Sequence, residues 1–528
     1  ALGLSYRGVS AEIIPNKGDH LECDECGWCI DVCPVGALTS GVYRYKSRPW
    51  EMNYVPAVCT HCSNGCKTTL SVRNGEIIRA NNRDRSGING EFLCVKGRFG
   101  FDFVHSQERL QSPLVRKDGK LEPASWSEAL KVVAARVREA IGRNGKFAVI
   151  GSTRTTNEEN YYLQKFARQG LRTNNIDHHR SGDVITLIDA LAGRTDALAT
   201  VQDLYACDAA LVLGADLAQQ HPLLAYQLRA NRRHHQAAVF AITPGPVRED
   251  QYAVRSLRAE AGREVERLEE LREELKARKN LVVLYGASVK GEAVRRLVAF
   301  GDSLGIPVKY VCLLDYANSR GALDMGLLPH LAPGYRPVEI PGMHLDAMMA
   351  APDLDVIWVV GANPLEGGRE FAAKDAFVIV HELFLTETAQ RADVVLPAMS
   401  LYEKNGTVTN VCGEVQRTKA GPKVMGTKSD LDILGLLAAQ LGFDLGIPSH
   451  EKVFEEIRRT VRGYGVPLPV LATGGAAQAA VLNGKVPVDA QPELVRPSDD
   501  TLFTSGTLGK YSKRLAQVME APGRLYQP

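Results

Sequence analysis

The chain has 528 residues, with 63 Lys and Arg against 61 Asp and Glu, a formal net charge of +2, and 45% hydrophobic residues. So even a balance leaves no electrostatic footprint for nucleic acid, and the composition excludes a disordered or fibrous chain. No apolar run approaches the roughly 20 residues that a membrane-spanning helix needs, so membrane contact is expected only through partner proteins.

Eight of the eleven cysteines fall within the first 94 residues, in two runs. The first is Cys23, Cys26, Cys29 and Cys33, followed by Pro34, in the pattern C-x2-C-x2-C-x3-C-P of bacterial-type ferredoxins. Two intervening residues let neighbouring thiolates reach adjacent iron corners of a cluster. The tight wrap also turns backbone N–H groups towards the sulfurs, where they help to set the potential. In two-cluster ferredoxins the fourth cysteine serves the other cluster, so Cys33 need not share a site with the three before it. The sequence opens at Ala1 instead of methionine, inside what reads as an N-terminally incomplete cluster-binding domain.

The second run is Cys59, Cys62, Cys66 and Cys94, spaced C-x2-C-x3-C-x27-C. Between its third and fourth cysteines, alternating segments at residues 67–72 and 76–80 flank Asn74-Gly75 and predict a hairpin that returns Cys94 to the other three. His61 sits inside the first pair, where it could ligate iron; with four cysteines present, tuning by hydrogen bonding or simple exposure is the preferred reading. Structural zinc is the alternative use of such thiolates. Disulfides are disfavoured, because a chain this long buries its own core and no secretory signal pattern opens it. Cys207, Cys312 and Cys412 are isolated and are expected to be small buried residues.

From about residue 111 the texture becomes α/β. Strands are predicted at residues 147–151, 209–214, 238–243, 281–285, 308–312, 356–361, 377–381 and 393–396, with helices at 157–169, 222–233 and 291–304 among the segments between them. So many apolar strands linked by helices imply two doubly wound lobes. Strand ends at Gly151-Ser152, Gly214-Ala215-Asp216 and Gly361-Ala362-Asn363-Pro364 are where such sheets bind ligands, although a tight turn accounts for each glycine equally well. The charged stretch 255–279 predicts a solvated amphipathic helix, with a short coiled coil as the lesser alternative. Residues 473–480 read as a surface loop.

These motifs together resemble the molybdopterin oxidoreductase superfamily, and within it the large iron–sulfur subunit (the G subunit) of NADH:quinone oxidoreductase, respiratory complex I. The resemblance rests on I-D-V-C-P-V-G-A-L-T-S at 30–40, the second cysteine run, G-A-L-D-M-G-L-L-P at 321–329, V-V-G-A-N-P at 359–364, A-D-V-V-L-P-A at 392–398 and E-K-N-G-T-V-T-N at 403–410, in order along nearly the whole chain. It implies that Cys59, Cys62, Cys66 and Cys94 bind a [4Fe-4S] cluster. Cys33 would complete a cluster whose other ligands come from upstream sequence. Cys23, Cys26 and Cys29 depart from the commoner pattern of that large subunit and resemble a variant with an additional ferredoxin-type cluster, which leaves their fourth ligand unassigned.

The implied fold is α/β, with ferredoxin-like and small β iron–sulfur domains followed by a two-lobed, doubly wound molybdopterin-oxidoreductase-like body. The division would be 1–50, 53–109, 110–445 and a C-terminal extension at 446–528. The implied function is electron transfer from a flavin-bearing, NADH-oxidising partner towards quinone, on the cytoplasmic side of the bacterial inner membrane, with two or more [4Fe-4S] clusters, no molybdopterin and no catalytic residue in this chain. The alternative is a molybdenum or tungsten formate dehydrogenase, because T-N-E-E-N-Y-Y-L-Q-K-F-A-R at 156–168 and T-N-N-I-D-H at 173–178 resemble that enzyme. There the next residues would bring a selenocysteine or cysteine to the metal, whereas this chain reads His179-Arg180-Ser181-Gly182-Asp183. Ser181 and Asp183 are the remaining candidate metal ligands, and His178 and His179 are expected to be packing or surface residues.

Overall fold

A computed structural model describes residues 2–15, 21, 23–192, 194–471, 476–478, 490–497 and 500–520. A small antiparallel hairpin, Leu2–Ser5 with Glu12–Pro15, precedes the first cysteine run, whose one helical element is Trp28–Val32. A three-stranded antiparallel sheet follows: Asn53–Val58, Lys67–Arg73 and Glu76–Asn81. Asn74 and Gly75 turn its hairpin with φ of 50° and 79°, the paired left-handed conformation that an Asn-Gly sequence supplies at least cost. The chain then reaches Cys94, which stands at the N-terminus of the short helix Val95–Phe99.

The body contains two sheets. In one, the strands run in the order Lys120–Pro123, Leu114–Lys117, Val394–Pro397, Phe377–Glu382, Val356–Val360, Phe147–Ile150 and Ile176–Asp177. The last five are parallel, and the first two form an antiparallel edge. The other sheet is wholly parallel, in the order Arg255–Arg258, Ala238–Thr243, Ala209–Leu213, Leu281–Tyr285 and Val308–Cys312. Its central strand Ala209–Leu213 is buried throughout, as continuous apolar runs covered on both faces require. The second sheet is inserted into the first, since the chain leaves after Asp177 and returns at Val356. All eight predicted strands are present to within one residue at each end.

Two local expectations are corrected. Residues 255–279 form no long helix. Arg255–Arg258 joins the parallel sheet as an edge strand, Glu264–Leu271 is a 3-10 helix and Arg272–Lys276 is a short α-helix. Val265, Leu268, Leu271 and Leu275 are buried, so the leucine spacing covers the sheet instead of forming a coiled coil. The charges outside pair at i,i+3, Arg263 with Glu266 and Arg267 with Glu270, which suits the three-residue repeat of a 3-10 helix. Within 473–480, Ala476–Gln478 is a strand against Glu414–Thr418, and the rest lies outside the described residues.

Candidate iron–sulfur sites and the adjoining cavity

Cys59, Cys62, Cys66 and Cys94 are buried, at 4–7% exposure. Cys59 directly follows the strand Asn53–Val58, and its N–H donates to the Cys66 carbonyl at 2.8 Å, folding the three clustered cysteines into one turn. Burial pushes the Cys59 thiol up to about 12 and the Cys94 thiol to about 11, with the charges of neighbouring cysteines adding to the effect. Cys66 is raised for the same reasons. Several thiolates can share so dry a pocket only with compensating positive charge, which iron would supply. Among the described residues, no three His, Cys, Asp or Glu side chains converge on a single ion. A zinc ion with Zn–S bonds of about 2.3 Å would need its four sulfurs drawn to within about 4 Å of one another.

Donors already point at this pocket. The Tyr402 hydroxyl is buried, turned towards the Cys59 sulfur and beside the Thr60 N–H. N–H groups of His61 serve Cys59, and those of Gly97 and Lys96 serve Cys94. Donors aimed at buried thiols are what a bound cluster's sulfurs would satisfy, so the residues fit a [4Fe-4S] group. His61 is buried, not exposed: its Nε2 lies 3.0 Å from the Gly100 carbonyl, and burial drives it down to about 3, leaving a neutral ring beside the site.

The first run is more open. Cys23 and Cys26 act on one another electrostatically, as do Cys26 and Cys29, and burial raises the thiols of Cys23 and Cys26. Cys33 differs. The N–H groups of Leu38, Val35 and Ala37 turn towards its sulfur and hold its thiol below the usual range. Backbone N–H groups thus set Cys33, whereas burial sets Cys23 and Cys26.

The two cysteine runs meet across the helix Val95–Phe99. Gly97 faces Cys59, where an added Cβ would fall 3.5 Å from the sulfur. The next residue, Arg98, donates from Nε to the Cys26 carbonyl at 2.5 Å and pairs with Asp31. Gly27 has φ of +68°, and a Cβ there would fall 2.5 Å from Arg98 Cδ. Arg248 grips Asp24 through two contacts of 2.7 and 2.8 Å, and Arg83 reaches the Asp31 carbonyl at 3.4 Å.

Next to Thr60 a cavity of about 500 Å³ opens at the C-terminal ends of the seven-stranded sheet. Arg154, His179, Arg369, Glu382 and Lys404 stand on its wall. Gly151-Ser152 and Gly361 to Pro364 line it, as the strand-end argument anticipated. Gly214 does not, because Glu264 and Ser288 fill the corresponding end of the other sheet. Arg154 stacks on Tyr316 at 4.0 Å and donates to the Thr60 and Ser505 carbonyls. On that wall, Lys404 pairs with Glu159 at 2.7 Å and with Asp430 at 3.2 Å, and Asp430 meets His381. Burial lifts the Glu382 carboxyl to about 7.

The loop where an active relative would present its metal ligand is committed elsewhere. The Ser181 hydroxyl accepts the Asp315 N–H, and the Asp183 carboxylate accepts from Thr186 and Gly291; neither lines the cavity. His178 is buried against the Leu327 carbonyl at 2.7 Å, while His179 reaches the cavity wall. Cys207, Cys312 and Cys412 are buried as expected. The sequence motifs did not single out Tyr402, Lys404, Arg98 or Arg154. Lys404 lies within E-K-N-G-T-V-T-N, but its contacts, like those of Arg98, are what tie it to the site.

A two-lobed α/β body carrying cysteine-rich cluster domains defines an iron–sulfur oxidoreductase of the molybdopterin-enzyme type. The molybdopterin oxidoreductase model matches residues 109–440, its Fe4S4 domain residues 52–106, and a 4Fe-4S binding domain residues 18–39. The chain belongs to the molybdopterin oxidoreductase family. It is 31% identical to a G subunit of the NADH-quinone oxidoreductase of Rhizobium meliloti, over 99% of this chain and 71% of that protein. It is 33% identical to the G subunit of the NADH-quinone oxidoreductase of Streptomyces coelicolor, over 86% of this chain and 61% of that one. The chain thus spans between about three-fifths and seven-tenths of these relatives' lengths. The alpha subunit of an F420-dependent formate dehydrogenase of Methanocaldococcus jannaschii matches at 28% over 78% of the chain and 74% of that protein, so the formate dehydrogenase alternative is not favoured. Acetylene hydratase from Pelobacter acetylenicus shares the fold, with a TM-score of 0.56 over 90% of this chain and 79% of that one at 14% identity.

Proposed function

We propose that this chain is the iron–sulfur electron-transfer subunit of an NADH:quinone oxidoreductase, receiving electrons from a flavin-bearing, NADH-oxidising partner and passing them towards quinone, without molybdenum chemistry of its own. In this reading Cys59, Cys62, Cys66 and Cys94 hold one [4Fe-4S] cluster. Cys23, Cys26 and Cys29 ligate a second, and Cys33 serves a cluster completed by residues outside this run. When bound, the clusters supply one-electron transfer. The chain fixes their separation, exposure and hydrogen bonding. The functional units are 1–50, 53–109, 110–445 and 446–528.

The observation that carries the reading is the dry four-thiol pocket faced by the Tyr402 hydroxyl, set beside a cavity whose loop has Ser181 and Asp183 tied into the backbone. A docking surface for electron-transfer partners is supported at the cysteine-rich head, where Tyr6, Val9, Val32, Val35, Tyr45 and Trp50 are all exposed. No helix among the described residues is long and apolar enough to cross a membrane. We place the chain peripherally on the cytoplasmic face of a bacterial inner membrane, held there by partner subunits.

The test is metal analysis after anaerobic purification. Iron in multiples of four per chain, without molybdenum or tungsten, is the expected result. Stoichiometric molybdenum or tungsten with formate-dependent dye reduction would replace this reading with a formate dehydrogenase, and zinc without iron would overturn the cluster assignment.

A further inference from the structure

We propose that an arginine-lined cleft beside the wholly parallel sheet, between the helix Pro222–His235 and Tyr252, binds the phosphoryl groups of a small soluble diphosphate ester. The site belongs to this lobe alone and is independent of the cluster assignment above.

The cleft has a volume of about 500 Å³ and is lined by Arg229, Arg232, Arg233, Gln236 and Tyr252. The first four are spaced i, i+3, i+4 and i+7, which places them on one stripe of the helix with neighbouring Cβ atoms about 5–6 Å apart. Leu223, Leu224 and Leu228 are buried on the side that packs inward. A stripe of arginine is ordinarily a solvated helix face, and two features set this one apart.

The first is shape. Tyr252, which directly follows the 3-10 turn Arg248–Gln251, closes the recess opposite the helix. Its hydroxyl is committed to Glu249 at 3.2 Å, so its ring is left as wall. The volume lies in the range of small-molecule sites, roughly 300–1,000 Å³.

The second is unbalanced charge. Other arginines of this lobe are neutralised: Arg248 by Asp24, Arg255 by Glu274 and Arg258 by Asp250. Among the described residues, the side chains of Arg229, Arg232 and Arg233 have neither an ion pair nor a hydrogen bond, and Arg229 Nη1 is shut off from solvent as well. Glu249, the carboxylate on which Arg229 acts, is fully buried. Burial, and then the charge of Asp216, push that carboxyl up to about 7, so near neutral pH it carries only about half a charge. The end of the helix contributes roughly another half of a negative charge. Three guanidinium groups outweigh both.

This arrangement selects among anions. A guanidinium presents a planar fork that bonds two oxygens at once. A carboxylate has two oxygens and satisfies one fork, whereas a diphosphate carries enough oxygens for the three forks on adjacent turns. The Gln236 amide supplies a neutral donor at the end of the stripe. Binding makes and breaks no covalent bond.

The experiment is isothermal titration calorimetry on the full chain, purified anaerobically, with pyrophosphate, ADP and a hexaglutamate peptide as separate probes. In about 150 mM KCl the Debye length is about 8 Å, so charges outside the cleft contribute little. Pyrophosphate and ADP should each saturate one site with a Kd below about 1 mM. Arg232→Gln with Arg233→Gln should weaken both at least tenfold. Arg232→Lys with Arg233→Lys keeps the charges, loses the forks and should weaken binding several-fold. Arg296→Gln, at an exposed position of the same lobe outside the cleft, should stay within twofold of the parent. Both substituted positions in the cleft are exposed, and unchanged melting temperatures confirm that the variants are folded. Failure of pyrophosphate to saturate by about 10 mM would overturn the proposal. So would equal affinity in the glutamine variant, which would place the ligand elsewhere. Hexaglutamate binding more tightly than pyrophosphate, and lost in the same variant, would replace the diphosphate with an acidic protein segment.

Discussion

The Arg109–Glu403 pair ties the cluster domain to the seven-stranded lobe, and it makes a quantitative test of how the two are held together. The side chains are 1% and 0% exposed, and Arg109 contacts the carboxylate at 3.0 and 3.1 Å while donating to the Val104 and Ala398 carbonyls at 3.2 Å. Arg109→Met removes the cation and leaves a buried carboxylate that retains the Ser400 N–H at 2.7 Å and the Val424 N–H at 2.9 Å. Breaking such a buried pair from one side costs about 3–5 kcal/mol. At about 2.1 cal/mol/K per residue, a cooperative unit of the chain's 528 residues has an unfolding entropy of about 1.1 kcal/mol/K, which gives a fall in Tm of about 3–5 °C. A smaller cooperative unit makes the fall larger. The control is Arg109→Met with Glu403→Gln, which removes the unpaired charge and whose single amide oxygen keeps one of the two N–H contacts, that of Ser400 or that of Val424. The double variant should recover at least about half of the loss. Differential scanning calorimetry on anaerobically purified protein measures all three. A single-variant shift below about 1 °C, or strictly additive losses in the double variant, would refute a buried charge pair as the tether.

Two further outcomes follow from the sites. Burial raises the Glu382 carboxyl from 4.5 to about 7, so the folded chain holds a proton that the unfolded chain releases. The associated stability is present below about pH 4.5 and is lost as pH rises through about 7, amounting to up to about 3 kcal/mol. Glu382→Gln, whose amide oxygen can still accept the Leu383 N–H, should therefore gain on the parent between pH 5 and 8 in denaturant titrations; parallel profiles would show that Glu382 is already ionised or hydrated. Under the proposed function, Cys62→Ser should abolish the second-run cluster's signal and leave NADH-to-quinone flux largely intact in an assembled complex, the expectation for a site that branches off the direct line. A collapse of flux would put that cluster on the main path.

Features that are local in the chain are legible in its residues alone. C-x2-C spacing decides which thiols share a turn because two intervening residues fix their reach, and the Cys59–Cys66 turn follows it. Asn74-Gly75 set the hairpin through its left-handed dihedrals, and the apolar runs at 209–213 and 281–285 became buried parallel strands because little else hides so continuous a surface. Packing settled what depends on segments far apart in sequence. Residues 356–360 pair beside 147–150 across an inserted lobe, which no local pattern announces. The 255–279 stretch broke into a strand and two short helices because an open sheet edge beside Ala238–Thr243 and an apolar face to cover outweighed helix-stabilising charge pairs worth only a few tenths of a kcal/mol each. Gly214 met Glu264 and Ser288 where Gly151 and Gly361 met a cavity, although the three strand ends read alike. Tyr402 faces a cysteine 343 positions away, and Arg98 reaches Cys26 across 72 residues. Burial and side-chain contacts are properties of the packed molecule, and they set these two side chains against the cysteines.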